Sequence, residues 1–116
     1  MEQSMLEELM EPNRKAKPEE ELLLDLLISK STGPILPTIW KENLIVQPMN
    51  DGSMGSLKLF QLNDMRQNPK FGKQASEYQF LDADGVLIIA SLYLDRDGYL
   101  YELDMWKVDN SRLLSW

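Results

Sequence analysis

Acidic residues spaced two apart are the groups in this chain best suited to chemistry. They occur as Asp82-Ala83-Asp84-Gly85, as Asp95-Arg96-Asp97-Gly98, and as Glu102 and Asp104 within Glu102-Leu103-Asp104-Met105-Trp106-Lys107-Val108-Asp109. Carboxylates at alternate positions ahead of a glycine begin a calcium loop of the EF-hand type. Neither Asp-x-Asp-Gly stretch continues as one. No third acidic residue precedes the glycine, and the twelfth position, which needs a bidentate glutamate, is Tyr93 counted from Asp82 and Trp106 counted from Asp95. Asp-Gly instead supplies the positive φ of a tight hairpin turn, and aspartate accepts amides of its own turn. Both stretches read as turns, and no metal site is expected.

Glu102, Asp104 and Asp109 beside Lys107 have the residue types of an acid–base cluster, and residues two apart on a strand share a face. Glycoside hydrolysis would also need a cleft with opposed carboxylates from separate elements, which nothing in the sequence supplies. The chain has no histidine and no cysteine. That excludes Ser-His-Asp and Cys-His nucleophiles, imidazole and thiolate metal sites, and disulfides. The loop Met49-Asn50-Asp51-Gly52-Ser53-Met54-Gly55-Ser56 holds two glycines but no basic residue, so it matches neither phosphate-binding fingerprint. It reads as a wide turn, with Met49 and Met54 as soft apolar surface. A protein that is not an enzyme and carries no cofactor is expected.

Across 116 residues the net charge is −7. Such a surface repels nucleic acid and anionic membranes and attracts a basic partner, although acidity also serves solubility alone. The N-terminus carries Glu2, Glu7 and Glu8 where a secretory leader would be basic. The longest apolar run, residues 86–94, is about half the length that spans a bilayer as a helix. A cytoplasmic protein is expected.

The elements that would position these residues follow from hydrophobic period. Met5, Leu6, Leu9 and Met10 predict a short amphipathic helix over residues 2–10, broken at Pro12, so that residues 1–15 can act as a mobile arm. Pro18, the three glutamates after it, the leucines from 22 to 27 and the Gly33-Pro34 stop predict a second helix. Short strands are expected at 44–47 and 57–60, a loop at 61–75, and a three-stranded meander at 78–81, 86–94 and 99–108 joined by the two Asp-Gly turns. The fold class is α+β: one domain over residues 1–116, two N-terminal helices packed on a mainly antiparallel sheet of about five strands. Both faces of residues 86–94 are apolar, which predicts a central strand covered on both sides. On the last strand Glu102, Asp104 and Trp106 share one face, a half-dry surface suited to contact.

The Met49-to-Leu57 string, together with Asp82-Ala83-Asp84-Gly85-Val86 and the Glu102-to-Asp109 string, resembles a small bacterial domain family of unknown function. The likeness covers about the C-terminal two thirds. In the family pattern Phe-Ser-Pro-Leu follows the last string; here Asn110-Ser111-Arg112-Leu113 departs from it. The resemblance implies no activity. In general type it is similar to the acidic immunity proteins of bacterial toxin systems, which bind rather than catalyse. The expected function is an immunity protein that covers the basic cleft of a cognate toxin, contacting it through Asp82, Asp84, Asp95, Asp97, Glu102, Asp104 and Trp106. The alternative is an accessory domain, homodimeric through its leucine-rich helix.

Overall fold

A computed structural model describes residues 13–115; the helix expected over residues 2–10, and Trp116, lie outside them. Six strands form one sheet: β1 (Arg14–Lys15), β2 (Leu44–Pro48), β3 (Leu57–Gln61), β4 (Phe71–Leu81), β5 (Leu87–Asp95) and β6 (Leu100–Lys107). Their order across the sheet is β1-β2-β3-β6-β5-β4, and every neighbouring pair is antiparallel. A single helix, α1 (Pro18–Lys30), accompanies them. The expected fold class is therefore corrected. Among the described residues the protein is mostly β, with one short helix on a six-stranded sheet instead of two helices on five strands.

The helix starts where the sequence places it. Pro18 occupies the first turn, and Glu20 accepts the Lys17 amide at 2.8 Å, satisfying a donor that the helix itself leaves free. Glu20 also takes both arms of Arg14, at 2.7 and 2.9 Å, which ties α1 to β1. Leu23, Leu24 and Leu27 are buried against the sheet, whereas Leu22 points to solvent. Opposite them lie Leu44 and Val46 of β2, Leu57 and Leu59 of β3, Leu103 and Met105 of β6, and Ile88, Ala90, Leu92 and Leu94 of β5. Trp40 closes the same core. None of the described helices is long and apolar enough to cross a membrane.

Period-2 alternation sends the remaining side chains to the opposite face of the sheet, away from α1. There Ile89, Ser91 and Tyr93 of β5 stand directly across from Trp106, Asp104 and Glu102 of β6, and Lys58 of β3 stands across from Glu102. Phe60, Leu81 and Trp106 are exposed on this face. The meander forms as β4-β5-β6, but β5 is not the doubly covered central strand expected of it. It lies next to the edge, and Ile89 and Tyr93 are only half-buried.

Two further differences have local causes. β4 begins at Phe71, inside the stretch expected to be a loop. Its first half is a polar edge strand interrupted by register shifts at Phe71/Lys73 and Gln74/Ser76, so no clean alternation shows. β1 is two charged residues long and carries no apolar period at all. The remainder of the segment from Leu62 to Lys70 folds over one end of the open face.

Candidate functional site

Each Asp-Gly turn spends its first aspartate on itself. Asp95 Oδ1 accepts the amides of Asp97 (2.9 Å) and Tyr99 (3.0 Å), and Asp82 Oδ1 accepts that of Ala83 (2.7 Å). Gly85 and Gly98 close the turns at φ of 78° and 89°. The turn reading is what the geometry shows. Of the four aspartates expected to make contact at the hairpin tips, Asp82 and Asp95 are only 5% and 3% exposed, whereas Asp84 and Asp97 are exposed.

Asp82 anchors the end of the chain. Its carboxylate accepts the Leu114 and Ser115 amides at 2.8 and 3.0 Å and the Lys107 ammonium at 2.9 Å. Asp84 reaches the same ammonium at 2.7 Å, and Lys107 also donates to the Arg112 carbonyl at 3.2 Å. Burial pushes the Asp82 pKa up, but the Leu114 amide, Lys107 and the Ala83 and Ser115 amides outweigh it, holding the carboxyl well below the usual range. Burial likewise pulls the Lys107 ammonium down, and Asp84 and Asp82 more than reverse it. The two aspartates thus converge on a lysine where a calcium loop would hold its ion. The divergent segment after the Glu102–Asp109 string is held by these bonds and by others, among them one from the Leu113 amide to the Ser53 carbonyl.

Asp95 and Asp97 meet a residue that the sequence did not single out. Arg66 lies 2.9 Å from each, forks onto Asp64 with contacts down to 2.7 Å, and stacks on Tyr99 with 3.8 Å from its guanidinium carbon to the ring centroid. Hydrogen bonding to Asp64 raises its pKa above the ordinary arginine value against the opposing effect of burial, with further help from Asp95 and Asp97. Little local marks Arg66: it sits in a polar stretch without period, and of its partners only Asp64 is near in the chain, while Asp95, Asp97 and Tyr99 are distant. Among the described residues no three acidic side chains are placed to hold a metal ion.

Glu102, Asp104 and Trp106 do share the open face, and α1 lies on the other side of the sheet from them. Trp106 is 45% exposed, its indole N–H donating to Asn110 at 3.0 Å. Glu102 and Asp104 are half-buried, and neither forms a salt bridge among the described residues. Burial raises the Glu102 pKa, Asp104 adds to it, and Lys58 opposes both. Burial also raises Asp104, reinforced by Asp51 and opposed by a hydrogen bond from the Ser56 hydroxyl.

Beside Glu102 the sheet opens. The β3–β6 register holds at Leu57↔Leu103 and Lys58↔Glu102, and beyond these pairs the strands part. The gap widens into a cavity of about 440 Å³, floored by Phe60, Tyr101 and Glu102 and walled by Asp64, Arg66 and Tyr99. Sequence reasoning missed this hollow, since strand divergence leaves no mark on composition.

Comparison with curated proteins and with solved structures finds no match. A family model does match, over residues 13–116, and its description is a domain of unknown function. The match covers nearly the whole chain, so the protein belongs to the DUF6984 family.

Proposed function

We propose that this protein binds another protein and does not turn over a substrate, using the open sheet face to dock a basic partner. The observation that carries this reading is the pair Glu102 and Asp104. Both are partly desolvated, raised in pKa and without a salt bridge, and they lie beside the exposed Trp106. Desolvating like charges side by side costs folding free energy, and a cation brought onto them recovers it. Tryptophan next to charge has the composition of an interface anchor with an electrostatic guide.

The fuller form of the proposal is an immunity protein of the cytoplasm that covers the cationic cleft of a toxin domain. Net acidity supports it through faster encounter with a basic surface, and the family assignment is neutral toward it. The homodimer alternative through the leucine-rich helix has less behind it, because Leu23, Leu24 and Leu27 are spent on the core and Leu22 is left as the exposed leucine of that helix.

The test is growth protection by co-expression with a basic toxin domain, sought first among the genes adjacent to this one, paired with calorimetric titration of the two purified proteins. The wild-type chain restores growth and binds. Asp104→Lys combined with Trp106→Ala loses both while keeping its fold by circular dichroism. Unchanged protection by that double variant removes the open face from the mechanism. Binding that resists the double variant and persists at high salt removes the electrostatic reading altogether.

A further inference from the structure

The cavity beside Glu102 has a chemistry of its own. Its lining carries two cations, Lys58 and Arg66, against three carboxylates, Asp64, Asp95 and Glu102. A fourth carboxylate, Asp97, takes a further share of Arg66 from outside. Negative charge is therefore in excess where solvent is thinnest.

Two of these carboxylates are incompletely satisfied. The Asp95 side chain is 1% exposed, and its Oδ2 accepts no hydrogen bond, although Arg66 Nη1 stands 2.9 Å away as an ion pair. That nitrogen donates instead to Asp97. Glu102 accepts no hydrogen bond from any described residue and has only the charge of Lys58 nearby. The Asp95 oxygen has no surface a ligand can reach, so Glu102, half-buried and without a donor, is the carboxylate that a ligand supplying N–H groups relieves. Phe60, Tyr99 and Tyr101 add aromatic surface, which favours a cation with an apolar stem. The volume falls within the range of ligand pockets and exceeds what one long side chain fills.

We infer that this cavity is a receptor for a guanidinium, specifically for an arginine side chain that the basic partner inserts. The inference rests on the docking reading above and names the group that enters. Arginine fits better than lysine. Its planar fork presents two N–H groups to the two oxygens of the Glu102 carboxylate, and its weaker hydration lowers the cost of entering a half-closed site. A carboxylate or phosphate ligand is disfavoured, since carboxylates outnumber cations in the lining and Arg66 is already paired with three of them.

The experiment needs no partner. The chain is titrated with n-pentylguanidinium and, separately, with n-pentylurea, a near-isosteric neutral molecule, while amide shifts are followed by NMR. The cation is expected to shift the amides of residues 59–61 and 100–102 saturably, with the urea at least about tenfold weaker. Glu102→Gln, which keeps the side-chain shape, is expected to weaken the cation by about tenfold while leaving distant amide shifts unchanged. Equal response to both probes, or none to the cation, overturns the pocket. Equal affinity of the Glu102→Gln variant for the cation overturns the role given to that carboxylate and the inference with it. If the cation fails while Asp104→Lys still abolishes partner docking, the pocket falls and the docking face stands. If the cation binds while open-face variants leave docking untouched, the reverse holds.

Discussion

Ser56 supplies the most direct test of how the sheet holds its two halves together. Backbone pairing between β3 and β6 covers Leu57↔Leu103 and Lys58↔Glu102. One residue before β3, the Ser56 hydroxyl accepts the Met105 amide at 2.8 Å and lies 3.3 Å from the Met105 carbonyl, so a side chain extends the ladder by one rung. Ser56 is 3% and Met105 1% exposed. Ser56→Ala therefore leaves a buried N–H without a partner, at a cost of about 1–3 kcal/mol, slightly relieved by the added apolar contact. A loss of about 2 kcal/mol is expected, roughly 8 °C in melting temperature for a chain of this size. Urea unfolding with an unchanged m-value is the assay. Because the same hydroxyl lowers the Asp104 pKa, the variant is also expected to raise that pKa further, as read by side-chain carboxyl NMR. A loss below about 0.5 kcal/mol means that the Met105 amide finds another partner, and the rung described here is not one.

Other outcomes follow from the same geometry. Lys107→Met is expected to lower the urea midpoint and to strip hydrogen-exchange protection from the Leu114 and Ser115 amides, because it frees the carboxylate that holds them. The Asp82 pKa is lowered by folding, so its contribution is present above the ordinary aspartate range and fades as pH falls through that range; Asp82→Asn is expected to flatten this acid limb in a stability–pH profile. Glu102 is raised instead, so its ionisation costs stability as pH climbs above the ordinary glutamate value, and Glu102→Gln is expected to be slightly more stable than wild type at pH 7 but not below pH 4, as checked by urea midpoints. Leu24→Ala, at a fully buried site under the helix, is expected to cost about 2–5 kcal/mol by the same measurement.

How much of this was legible depends on the range of the interaction. The meander was readable because Asp-Gly turns and β-branched runs are local signals, and the Glu102–Asp104–Trp106 face was readable because side-chain alternation along a strand is arithmetic. β1 and the start of β4 were not. Arg14–Lys15 becomes a strand only because β2 offers it an edge, and bulges erase the alternation of Phe71–Ser76. The burial of Asp82 and Asp95 was equally invisible. Aspartate at a turn tip is normally solvated, and only Lys107 and Arg66, brought back by the fold, draw these two inward. The string that carried the family resemblance thus turns out to mix roles: Lys107 and Met105 point into the structure, while Glu102, Asp104 and Trp106 point out of it.

That alternation bears on whether the outward set exists for contact. If the open face were only a solvated back, its carboxylates would be selected for solubility and would sit beside cations or out in water, as Asp97 and Asp84 do. Glu102 and Asp104 are half-buried and, among the described residues, without a salt bridge, although Lys58 stands across from Glu102. They stand two residues apart, and burial raises the cost of ionising each, with Asp104 adding to it at Glu102 and Asp51 adding to it at Asp104. A pH titration of partner binding separates the alternatives. If the pair meets cations, complex formation favours the ionised forms and releases protons, so affinity is expected to begin falling on the acid side at a pH where ordinary carboxylates are still charged. Calorimetry in buffers of different ionisation enthalpy reads that proton release directly. Affinity that stays flat until the ordinary carboxylate range, with no proton released at higher pH, means the pair faces water in the complex as well, and the docking surface must then be sought elsewhere on the molecule.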